Sequence, residues 1–523
     1  MATLFLKKIN ESLYHVYSDD QGGILRELSD YYSFLAPGAR YDKRVQIGIW
    51  DGKIRLVNLR EKTIPSGLIA DIENFTSGNG YNLVDETLPK DRNVSDNQDD
   101  FDEWLKSLKL PFEPRDYQYK AVRDAIKDMR CILLSPTGSG KSLIIYLLVR
   151  WMLRFDRKTV IIVPSTSLVE QMISDFKDYS KNDDSFDVDS VVKGLYSKSK
   201  CDPYEEKVVI ATWQSLIRYD SSLYSSWDCV ICDECHQGKA KSIQTIIGGA
   251  VNAPFRYGLT GSLTGENVHY FVLMGSFGKV HQVTTTLKLQ KKGELSNLKI
   301  YMITLSYPKD ENEEFYHNNK KDWMAEVEYL SKHPLRQKFM RNLALACKGT
   351  TILFFNLKEH GWRLYEDIKA KAGDRPVFHV DGDTSAQERE KIRNAVKDNK
   401  DTILVFSQGT SAVGLNIPSI QNVILHNSKS RVRNLQSIGR GLRLDDQKDG
   451  CRVYDIVDDM SYRNHKNYML KHALERFNLY MSEGFDVISK TVSIPSQKPV
   501  NTFDKEGNLT NANSNGIIAE NKT

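Results

Sequence analysis

A short β-prone run followed directly by a phosphate-binding sequence decides the fold class of this chain. Cys131-Ile-Leu-Leu134 leads into Ser135-Pro-Thr-Gly-Ser-Gly-Lys141-Ser142, and an apolar helical run begins at Leu143. The two glycines allow backbone N–H groups to curl around a phosphate, and the positive end of the new helix points at the same anion. A strand, a glycine-rich loop and a helix in this order indicate a nucleotide-binding α/β domain.

Residue types within this loop predict how the nucleotide is held. Lys141 can reach the β- and γ-phosphates of ATP, and the Ser142 hydroxyl can bind Mg²⁺. Ser135 stands where the pattern usually has its first glycine, so the loop is a relaxed form of the pattern. The predicted ATP cradle consists of Pro136, Thr137, Gly138, Ser139, Gly140, Lys141 and Ser142.

Other short apolar runs recur along the chain, each separated from the next by a helix-length segment. Continuous apolar strands joined by helices are typical of parallel sheets covered on both faces, so we predict two α/β domains. The strands expected in the first half are Cys131–Leu134, Val160–Val163, Val208–Ala211, Cys229–Cys232 and Tyr257–Leu259. Those expected in the second half are Thr351–Phe355, Val377–Val380, Thr402–Phe406, Val423–Leu425 and Val453–Val457.

Composition divides the chain into five predicted segments. Residues 1–84 form a small α/β domain, and the acidic, polar residues 85–100 form a linker. Residues 101–290 form the first, ATP-binding α/β domain and residues 291–492 the second. Residues 493–523, rich in Asn, Ser, Thr and Lys, are expected to be a disordered tail.

Charge and hydropathy narrow the function classes. The 72 basic and 68 acidic residues nearly cancel to a net charge of +4, so any nucleic-acid surface must be local. The longest apolar stretch, Leu143–Leu153, is interrupted by Arg150 and is far shorter than the roughly 20 residues of a membrane helix. With no secretory signal pattern at the start of the sequence, we expect a cytoplasmic protein without membrane partners.

The small first domain contains a hairpin pattern. Asp51-Gly52 separates Val45-Gln-Ile-Gly-Ile-Trp50 from Lys53-Ile-Arg-Leu-Val57, and Asp-Gly supplies the positive φ angles of a type I′ turn. Basic residues cluster around it, so the region is either a hairpin with solvated charges or a DNA-contacting surface. The DNA-binding candidates are Arg44, Trp50, Lys53 and Arg55.

Two carboxylates follow the strand Cys229–Cys232, in Asp233-Glu234-Cys235-His236. At a strand end beside a phosphate loop, Asp233 can hold Mg²⁺ and Glu234 can polarise the attacking water. The same residues fit the Cys-x-x-Cys-His pattern of haem attachment. That alternative is disfavoured because no export signal or second cysteine pair is present, and Cys229 and Cys232 should point to opposite faces of a strand. Small buried hydrophobic residues are the better interpretation of these cysteines.

The second half contains no phosphate loop but offers Gln436-Ser-Ile-Gly439-Arg440-Gly-Leu-Arg443. In isolation, Arg440 and Arg443 would be ordinary surface charges. Their permanent charge and forked donor geometry nevertheless suit the transition state of phosphoryl transfer. Together with the loop and the acidic pair, they predict an ATPase whose second domain supplies arginines when the domains close.

The order of these motifs resembles that of the superfamily 2 helicases and translocases. Arg115-Asp-Tyr-Gln118 resembles their adenine-reading motif, and Asp233–His236 resembles their DExH motif. Leu259-Thr-Gly-Ser262 is similar to the motif that couples hydrolysis to DNA, while Phe406–Pro418 and Gln436–Arg443 are similar to motifs V and VI. The resemblance implies two tandem RecA-like domains.

This resemblance also implies roles for individual residues. The implied catalytic residues are Lys141, Asp233, Glu234, His236, Arg440 and Arg443. Beyond the phosphate loop, the implied ATP contacts are Arg115, Gln118, Gly414, Gln436, Arg440 and Arg443. Thr260 and Ser262 are the implied coupling residues. The implied nucleic-acid contacts are Pro164, Ser165, Thr166, Thr212, Gln214, Gly382 and Thr410.

A narrower resemblance involves the first domain. Gly48-Ile-Trp50-Asp-Gly52-Lys-Ile-Arg55-Leu and Ile64-Pro-Ser-Gly67-Leu resemble the N-terminal domain of the UvsW family, the recombination helicases of T-even-type phages. This implies an ATP- and Mg²⁺-dependent DNA helicase that unwinds R-loops and D-loops, migrates Holliday junctions and regresses stalled forks, moving 3′ to 5′. Its implied partners are branched DNA, RNA within R-loops, and phage recombination and replication proteins in the host cytoplasm.

Two alternatives stay open at this stage. The first keeps the motor but changes its substrate, giving a double-stranded-DNA translocase or an RNA helicase. The second is a nucleic-acid-annealing module without useful ATP hydrolysis. Intact Lys141, Asp233, Glu234, Arg440 and Arg443 argue against the second alternative, because such a module would not need these residues.

Overall fold

The computed structural model describes residues 2–36, 38–87, 100–196, 201–238, 240–261, 263, 270–318, 322–408, 420–426, 450–482, 484–496, 500–503 and 509–512. The chain divides into two compact units, Met1–Thr285 and Thr286–Thr523. Each unit contains a seven-stranded sheet, which confirms the predicted pair of parallel α/β domains. Among the helices within the described ranges, none combines the length and apolar character needed to cross a membrane.

A small mixed sheet opens the first unit, with strand order β5-β2-β1-β6. The elements of this part are β1 (Thr3–Lys8), β2 (Leu13–Ser18), α1 (Gly23–Tyr31), β3 (Ser33–Leu35), α2 (Lys43–Gln46), β4 (Lys53–Arg55), β5 (Thr63–Pro65), α3 (Ile69–Asn79) and β6 (Asn82–Asp85), with short 3-10 helices at Ala39–Tyr41 and Ser66–Leu68. Leu4 and Leu6 share one face of β1 because alternate strand residues point the same way. They pack with Leu28 of α1 in an apolar cluster that also includes Ile132 and Val160 of the seven-stranded sheet, so the core of this part is continuous with one face of that sheet.

The hairpin predicted around Asp51-Gly52 is wrong. Lys43–Gln46 is a helical turn, capped where the Asp42 side chain accepts a hydrogen bond from the Arg44 N–H. β4 does follow Gly52, but it pairs antiparallel with β3 rather than with residues 45–50. The alternating apolar pattern misleads because Asp42 and Gly48 supply helix start and stop signals that outweigh β propensity.

The large sheet of the first unit has the order β13-β7-β12-β11-β8-β10-β9, with every neighbouring pair parallel. Its strands are β7 (Arg130–Leu134), β8 (Thr159–Val163), β9 (Val192–Leu195), β10 (Val208–Thr212), β11 (Cys229–Cys232), β12 (Phe255–Thr260) and β13 (Val280–Gln282). The five predicted strands are confirmed. The two that were not predicted, β9 and β13, are the short edge strands, where one neighbour is missing and continuous apolar character is not required.

Helices flank this sheet, and both faces are covered by apolar clusters. They are α4 (Phe101–Ser107), α5 (Asp116–Asp128), α6 (Lys141–Arg154), α7 (Thr166–Ser180), α8 (Val188–Val191), α9 (Trp213–Leu216), α10 (Ser221–Ser225), α11 (Ala240–Gly249) and α12 (Tyr270–Phe277), with a 3-10 helix at Cys235–Gln237. α6 is buried from Leu143 to Val149. The helix that follows the glycine-rich loop is therefore anchored in the core, which fixes the position of the loop.

A second parallel sheet forms the core of the second unit, in the order β16-β17-β15-β18-β19-β14-β20. Its strands are β14 (Leu298–Ser306), β15 (Thr351–Phe355), β16 (Val377–Val380), β17 (Ile403–Ser407), β18 (Asn422–His426), β19 (Cys451–Asp459) and β20 (Asp486–Ser493). Its helices are α13 (Thr286–Lys291), α14 (Lys309–Asn318), α15 (Trp323–Lys332), α16 (Pro334–Ala346), α17 (Lys358–Lys369), α18 (Ala386–Asp398) and α19 (Tyr468–Ser482). The five predicted strands are confirmed, and β14 and β20 extend the sheet beyond them.

Short strands lie within the segment 493–523 that the sequence predicts to be a tail: Ser493 ends β20, and two further strands follow it. β21 (Val500–Phe503) pairs antiparallel with β22 (Leu509–Ala512). Valine, threonine, phenylalanine and leucine in these short runs have the β propensity that the overall polar composition conceals.

Candidate active site

The glycine-rich loop connects β7 to α6 and is stabilised from within. Gly138 and Gly140 have positive φ angles of 84° and 76°, a conformation that glycine adopts without steric cost. The buried Ser135 hydroxyl lies 2.6 Å from the Ser139 hydroxyl, which lies 2.7 Å from the Pro136 carbonyl oxygen. The serine that replaces the usual first glycine thus holds the loop in its curved form.

The Arg115–Gln118 segment contacts the same loop. The buried Gln118 side chain donates a hydrogen bond to the Ser139 carbonyl (2.9 Å) and accepts one from the Arg115 backbone N–H (2.9 Å). The Tyr117 hydroxyl also donates to the Ser139 carbonyl, at 3.1 Å. A β-carbon at Gly140 would come within 2.3 Å of Gln118 Nε2. Gln118 therefore packs on the loop backbone, and its contact with adenine stays a prediction.

Lys141 and Ser142 begin α6, where their side chains have defined partners. Lys141 Nζ lies 3.4 Å from Glu234 Oε1 and 3.4 Å from the Ser135 carbonyl oxygen. The Ser142 hydroxyl lies 2.7 Å from the hydroxyl of Tyr179 on α7. Sequence reasoning missed Tyr179, because a contact between helices 37 residues apart leaves no local signal.

The acidic pair lies at the carboxyl end of β11. Asp233 donates its backbone N–H to the Ile162 carbonyl at 2.9 Å, while its carboxylate accepts from the Glu234 N–H at 3.0 Å. Glu234 has a φ of +47°, a strained conformation for a residue with a β-carbon and one that is concentrated at functional sites. The loop from β11 thus turns the Glu234 carboxylate toward Lys141.

The two buried carboxyl groups have opposite pKa shifts because different charges surround them. Burial, and then the negative charge of Glu234, raises the pKa of Asp233 to about 7. Burial would also raise the pKa of Glu234, but the charges of Lys141 and His236 and the Lys141 hydrogen bond lower it. Glu234 is therefore held as a carboxylate, the form that can accept a proton from water.

His236 connects this pair to β12. Its Nδ1 lies 2.6 Å from the Thr260 hydroxyl oxygen and 3.4 Å from Glu234 Oε2. Burial lowers the pKa of His236, although Glu234 opposes the shift. The imidazole links Glu234 to the predicted coupling residue Thr260. Ser262 lies outside the described residues.

Segments predicted to contact nucleic acid lie at the same edge of the sheet. Pro164, Ser165 and Thr166 follow β8, and Thr212 ends β10, next to β8 in the sheet. Thr166 and Gln214 are exposed. Thr212 is buried, and its hydroxyl accepts from the Ser215 N–H at 3.2 Å, which caps α9. Thr212 therefore positions the loop that presents Gln214.

Three of the four DNA-binding candidates in the N-terminal domain already contact neighbouring residues of that domain. Arg44 pairs with Asp42 at 2.8 Å, and its guanidinium lies 4.9 Å from the centre of the Trp50 ring. The Trp50 indole N–H donates to the Lys53 carbonyl at 3.1 Å. Arg55 pairs with Asp51 at 2.6 Å. Of the four candidates, only the Lys53 side chain is without an ion pair or ring contact to a described residue.

Cysteines around the acidic pair are core residues. Cys229 packs in the apolar cluster on one face of the large sheet, and Cys232 and Cys235 pack in the cluster on the other. The opposite orientation expected for Cys229 and Cys232 is confirmed. Within the described ranges, no group of three or more histidine, cysteine or acidic side chains is arranged to hold a metal ion.

In the second unit, the structure describes only part of the predicted site. Gly382 follows β16 and is exposed. The remaining predicted residues of this half lie outside the described ranges: Thr410, Gly414, Gln436, Arg440 and Arg443.

Comparison with known proteins assigns the family. The ATP-dependent DNA helicase uvsW of Enterobacteria phage T4 is 33% identical to this chain over 504 residues, covering 92% of this chain and 98% of the relative. The chain belongs to the UvsW family of helicases. Three family models match it: "DNA helicase UvsW, N-terminal" at residues 8–85, "Type III restriction enzyme, res subunit" at residues 111–264, and "Helicase conserved C-terminal domain" at residues 335–445.

The solved structure of a UvsW helicase agrees with this assignment. The crystal structure of T4 UvsW aligns with a TM-score of 0.50 and 30% identity, covering 94% of this chain and 99% of that chain. The Type ISP restriction-modification enzyme LlaBIII bound to DNA aligns with a TM-score of 0.52 over 82% of this chain and 34% of that chain. At 14% identity, this second likeness shows the fold alone. The resemblance found in the sequence is confirmed: this UvsW-family helicase is an ATP-dependent enzyme with DNA as its partner.

Proposed function

We propose that this helicase acts on branched DNA: R-loops, D-loops, Holliday junctions and stalled forks formed during phage recombination-dependent replication and repair. The observation that carries the proposal is a UvsW-type N-terminal domain at residues 8–85 that packs directly on the motor. Its residues 40–55 contain five basic and two acidic side chains. Such a surface can hold the phosphates of a second duplex arm.

Buried and partly buried hydrogen bonds join this domain to the motor. Arg130 of β7 donates to the Ser66 hydroxyl and, at 2.9 Å, to the Glu11 carbonyl oxygen. Arg256 of β12 donates to the Ser12 hydroxyl at 2.8 Å and to three carbonyl oxygens of its own domain. Because breaking buried charged contacts is costly, the N-terminal domain moves with the first motor domain. DNA held by it is then displaced with each motor step.

We further propose the following division of work in hydrolysis. Lys141 binds the β- and γ-phosphates, Gln118 contacts adenine, and Glu234 accepts a proton from the water that attacks the γ-phosphate. ATP and water thereby become ADP and phosphate. Arg440 and Arg443 of the second domain stabilise the charge of the transition state. His236 couples Glu234 to Thr260, because its imidazole contacts both side chains.

Mg²⁺ fits the donors that β11 and α6 supply. A carboxylate and a hydroxyl are the oxygen ligands that this ion takes, and a buried Asp233 with a raised pKa is a carboxyl group whose ionised form a cation would stabilise. Asp233 and Ser142 would hold the ion, which would neutralise phosphate charge.

A matched substrate panel tests the proposed function. ATPase and strand-separation rates would be measured on an R-loop, a fork, a four-way junction, a linear duplex and RNA of equal length. We expect the branched substrates to support the highest rates. Stronger stimulation by RNA, or equal stimulation by linear duplex without strand separation, would contradict the proposal. Annealing without ATP turnover would contradict the proposed roles of Lys141 and Glu234.

A further inference from the structure

One segment of the N-terminal domain has several exposed apolar side chains. Residues 38–52, here called the lobe, lie between β3 and β4, which pair as a two-stranded ribbon. Three apolar side chains of the lobe, here called the tip, are exposed: Tyr41 is 85% exposed, Ile47 68% and Ile49 74%. Large apolar side chains are mostly buried in folded proteins, so three exposed ones within residues 41–49 mark a candidate interaction surface. The motor mechanism described above uses none of these three residues.

The lobe backbone is ordered by a helix stop. The Ile49 N–H donates to the Arg44 carbonyl and the Gly48 N–H to the Val45 carbonyl, at 2.8 Å and 3.1 Å. With Gly48 at a φ of +76°, this is the Schellman arrangement, in which the residue after the glycine usually packs back on its own helix. Ile49 instead stays exposed. The fold thus holds an isoleucine in solvent at a position where it would ordinarily be covered.

Packing inside the lobe fixes its shape further. A β-carbon at Gly52 would lie 3.0 Å from the Ala39 β-carbon and 3.4 Å from Val45, so the chain closes tightly on itself there. The Ala36 N–H donates to the Gly52 carbonyl at 2.8 Å. A closely packed base therefore carries the exposed side chains.

Charge on the lobe indicates what covers the tip. Arg40, Lys43 and Lys53 are exposed, and none of them forms an ion pair with any residue the structure describes. The two acidic residues of residues 40–55, Asp42 and Asp51, are already paired with arginines. An apolar tip flanked by unpaired cations is complementary to a nucleic-acid branch point, which offers bases at its centre and phosphates on both sides.

We propose that the lobe is a strand-separating wedge. Tyr41, Ile47 and Ile49 pack against the terminal base pair at the branch point, while Arg40 and Lys43 hold the flanking phosphates. Apolar side chains inserted at a base step unstack it, and a tyrosine ring can replace the lost stacking partner. This inference rests on the proposed action on branched DNA and names the residues that open the duplex.

The wedge is tested by the double variant Ile47→Ser/Ile49→Ser. Wild-type and variant helicase would be compared for fork unwinding, fork binding and ATPase stimulated by single-stranded DNA. We expect unwinding to fall at least about tenfold, because unstacking loses its apolar partner. Fork affinity and stimulated ATPase should change by less than about twofold, since phosphate contacts dominate binding. The matched control is Ile9→Ser, a 52% exposed isoleucine of the same domain.

Fluorescence of 2-aminopurine at the branch point, measured without ATP, separates a wedge from a passive surface. We expect the wild type and the Ile9→Ser variant to raise the fluorescence on binding and the double variant not to raise it. An equal rise, or unwinding at the wild-type rate, would overturn the wedge. Parallel loss of ATPase or of the melting transition would also overturn it, because the tip would then serve the motor or the fold. A wild type that fails to unwind any fork would contradict the proposed function instead.

The flanking cations predict a different phenotype. Arg40→Gln/Lys43→Gln should weaken fork binding and reduce the slope of log affinity against log salt by about 0.9 for each lost phosphate contact. The control pair Lys7→Gln/Arg26→Gln removes two exposed charges of the same domain and should preserve the slope. An unchanged slope in the first pair would show that the lobe does not contact phosphates. Loss of self-association in the Ile47/Ile49 variant with fork unwinding intact would show that the tip binds a second copy of the chain.

Discussion

The hydroxyl groups of Ser142 and Tyr179 lie 2.7 Å apart, linking the start of α6 to α7. Burial raises the pKa of Tyr179 to about 12, so its hydroxyl stays protonated near neutral pH. If the Ser142 proton points toward Tyr179, the lone pairs of Ser142 face away, toward the proposed ion site. Tyr179 is then a positioning residue for a magnesium ligand.

Tyr179→Phe tests this positioning role. The ring, which packs edge-on against Tyr146, is kept, and only the hydroxyl is lost. We expect the Mg²⁺ concentration for half-maximal ATPase to rise about tenfold, as is typical when a partner of a metal ligand is removed, with the maximal rate largely preserved. Tyr146→Phe is the matched control, because that hydroxyl accepts from Arg150 at 2.7 Å rather than from the loop. An unchanged Mg²⁺ dependence in Tyr179→Phe would refute the role.

Lys141→Ala should abolish DNA-stimulated ATPase while leaving DNA binding largely intact. The variant removes the proposed phosphate ligand, and losses of about 100-fold or more are typical when a group stabilising transition-state charge is deleted. Turnover of ATP and equilibrium DNA binding measured on the same preparation would check this. Lys207→Ala, which removes a lysine paired with Asp156 at 2.7 Å, should behave as wild type. Retained ATPase in Lys141→Ala would remove the core of the proposed mechanism.

Thr260→Val should separate ATP hydrolysis from unwinding. The substitution keeps the shape of the side chain but removes the hydroxyl 2.6 Å from His236 Nδ1. We expect ATPase without DNA to persist and the number of base pairs opened per ATP to fall several-fold, whereas Thr260→Ser should restore it. Parallel loss of both activities, or no rescue by serine, would indicate a structural role for Thr260 instead.

The sequence predicts the parts of the site that are local and misses those that are tertiary. β7 and β11 are predicted because both are continuous apolar runs that end in polar loops, and Lys141 and Asp233 follow from their position after these strands. Two contacts join segments that are distant in sequence, so no local pattern encodes them. They are the hydrogen bond from Gln118 to the Ser139 carbonyl and the contact of Tyr179 with Ser142. The β propensity of residues 45–50 favours a hairpin, but the helix cap at Asp42 and the helix stop at Gly48 override it.

Arg256→Met should destabilise the interface between the N-terminal domain and the motor. The buried guanidinium donates to the Ser12 hydroxyl and to the carbonyls of Ala250 and Ala253, and methionine would leave these acceptors without their donor. We expect a loss of about 3 kcal/mol in the free energy of unfolding, measured by urea denaturation. Arg26→Met, at an exposed position of α1, is the control. A free energy of unfolding within about 0.5 kcal/mol of wild type, the usual range for surface changes, would argue against a rigid interface between the two domains.

Acid sensitivity of the second unit should depend on His360. Burial, with the positive charges of Arg336 and Arg363, lowers the pKa of His360 to about 3. In the unfolded chain a histidine binds its proton near pH 6.5, so between these values the unfolded state binds more protons than the folded one. The free energy of unfolding should therefore fall as the pH decreases from about 6.5 toward 3, by at most about 1.4 kcal/mol per pH unit for this residue.

The test of this pH dependence is His360→Gln, compared with wild type by urea denaturation at pH values between 7 and 4. Glutamine cannot titrate, so the variant should be less stable at pH 7, where it loses the packing of the imidazole on His426, yet should lose less stability on acidification. The two stability curves should approach each other as the pH falls. His317→Gln, at a largely exposed position, should follow the wild-type curve. Parallel curves for wild type and His360→Gln would mean that His360 does not control the acid response.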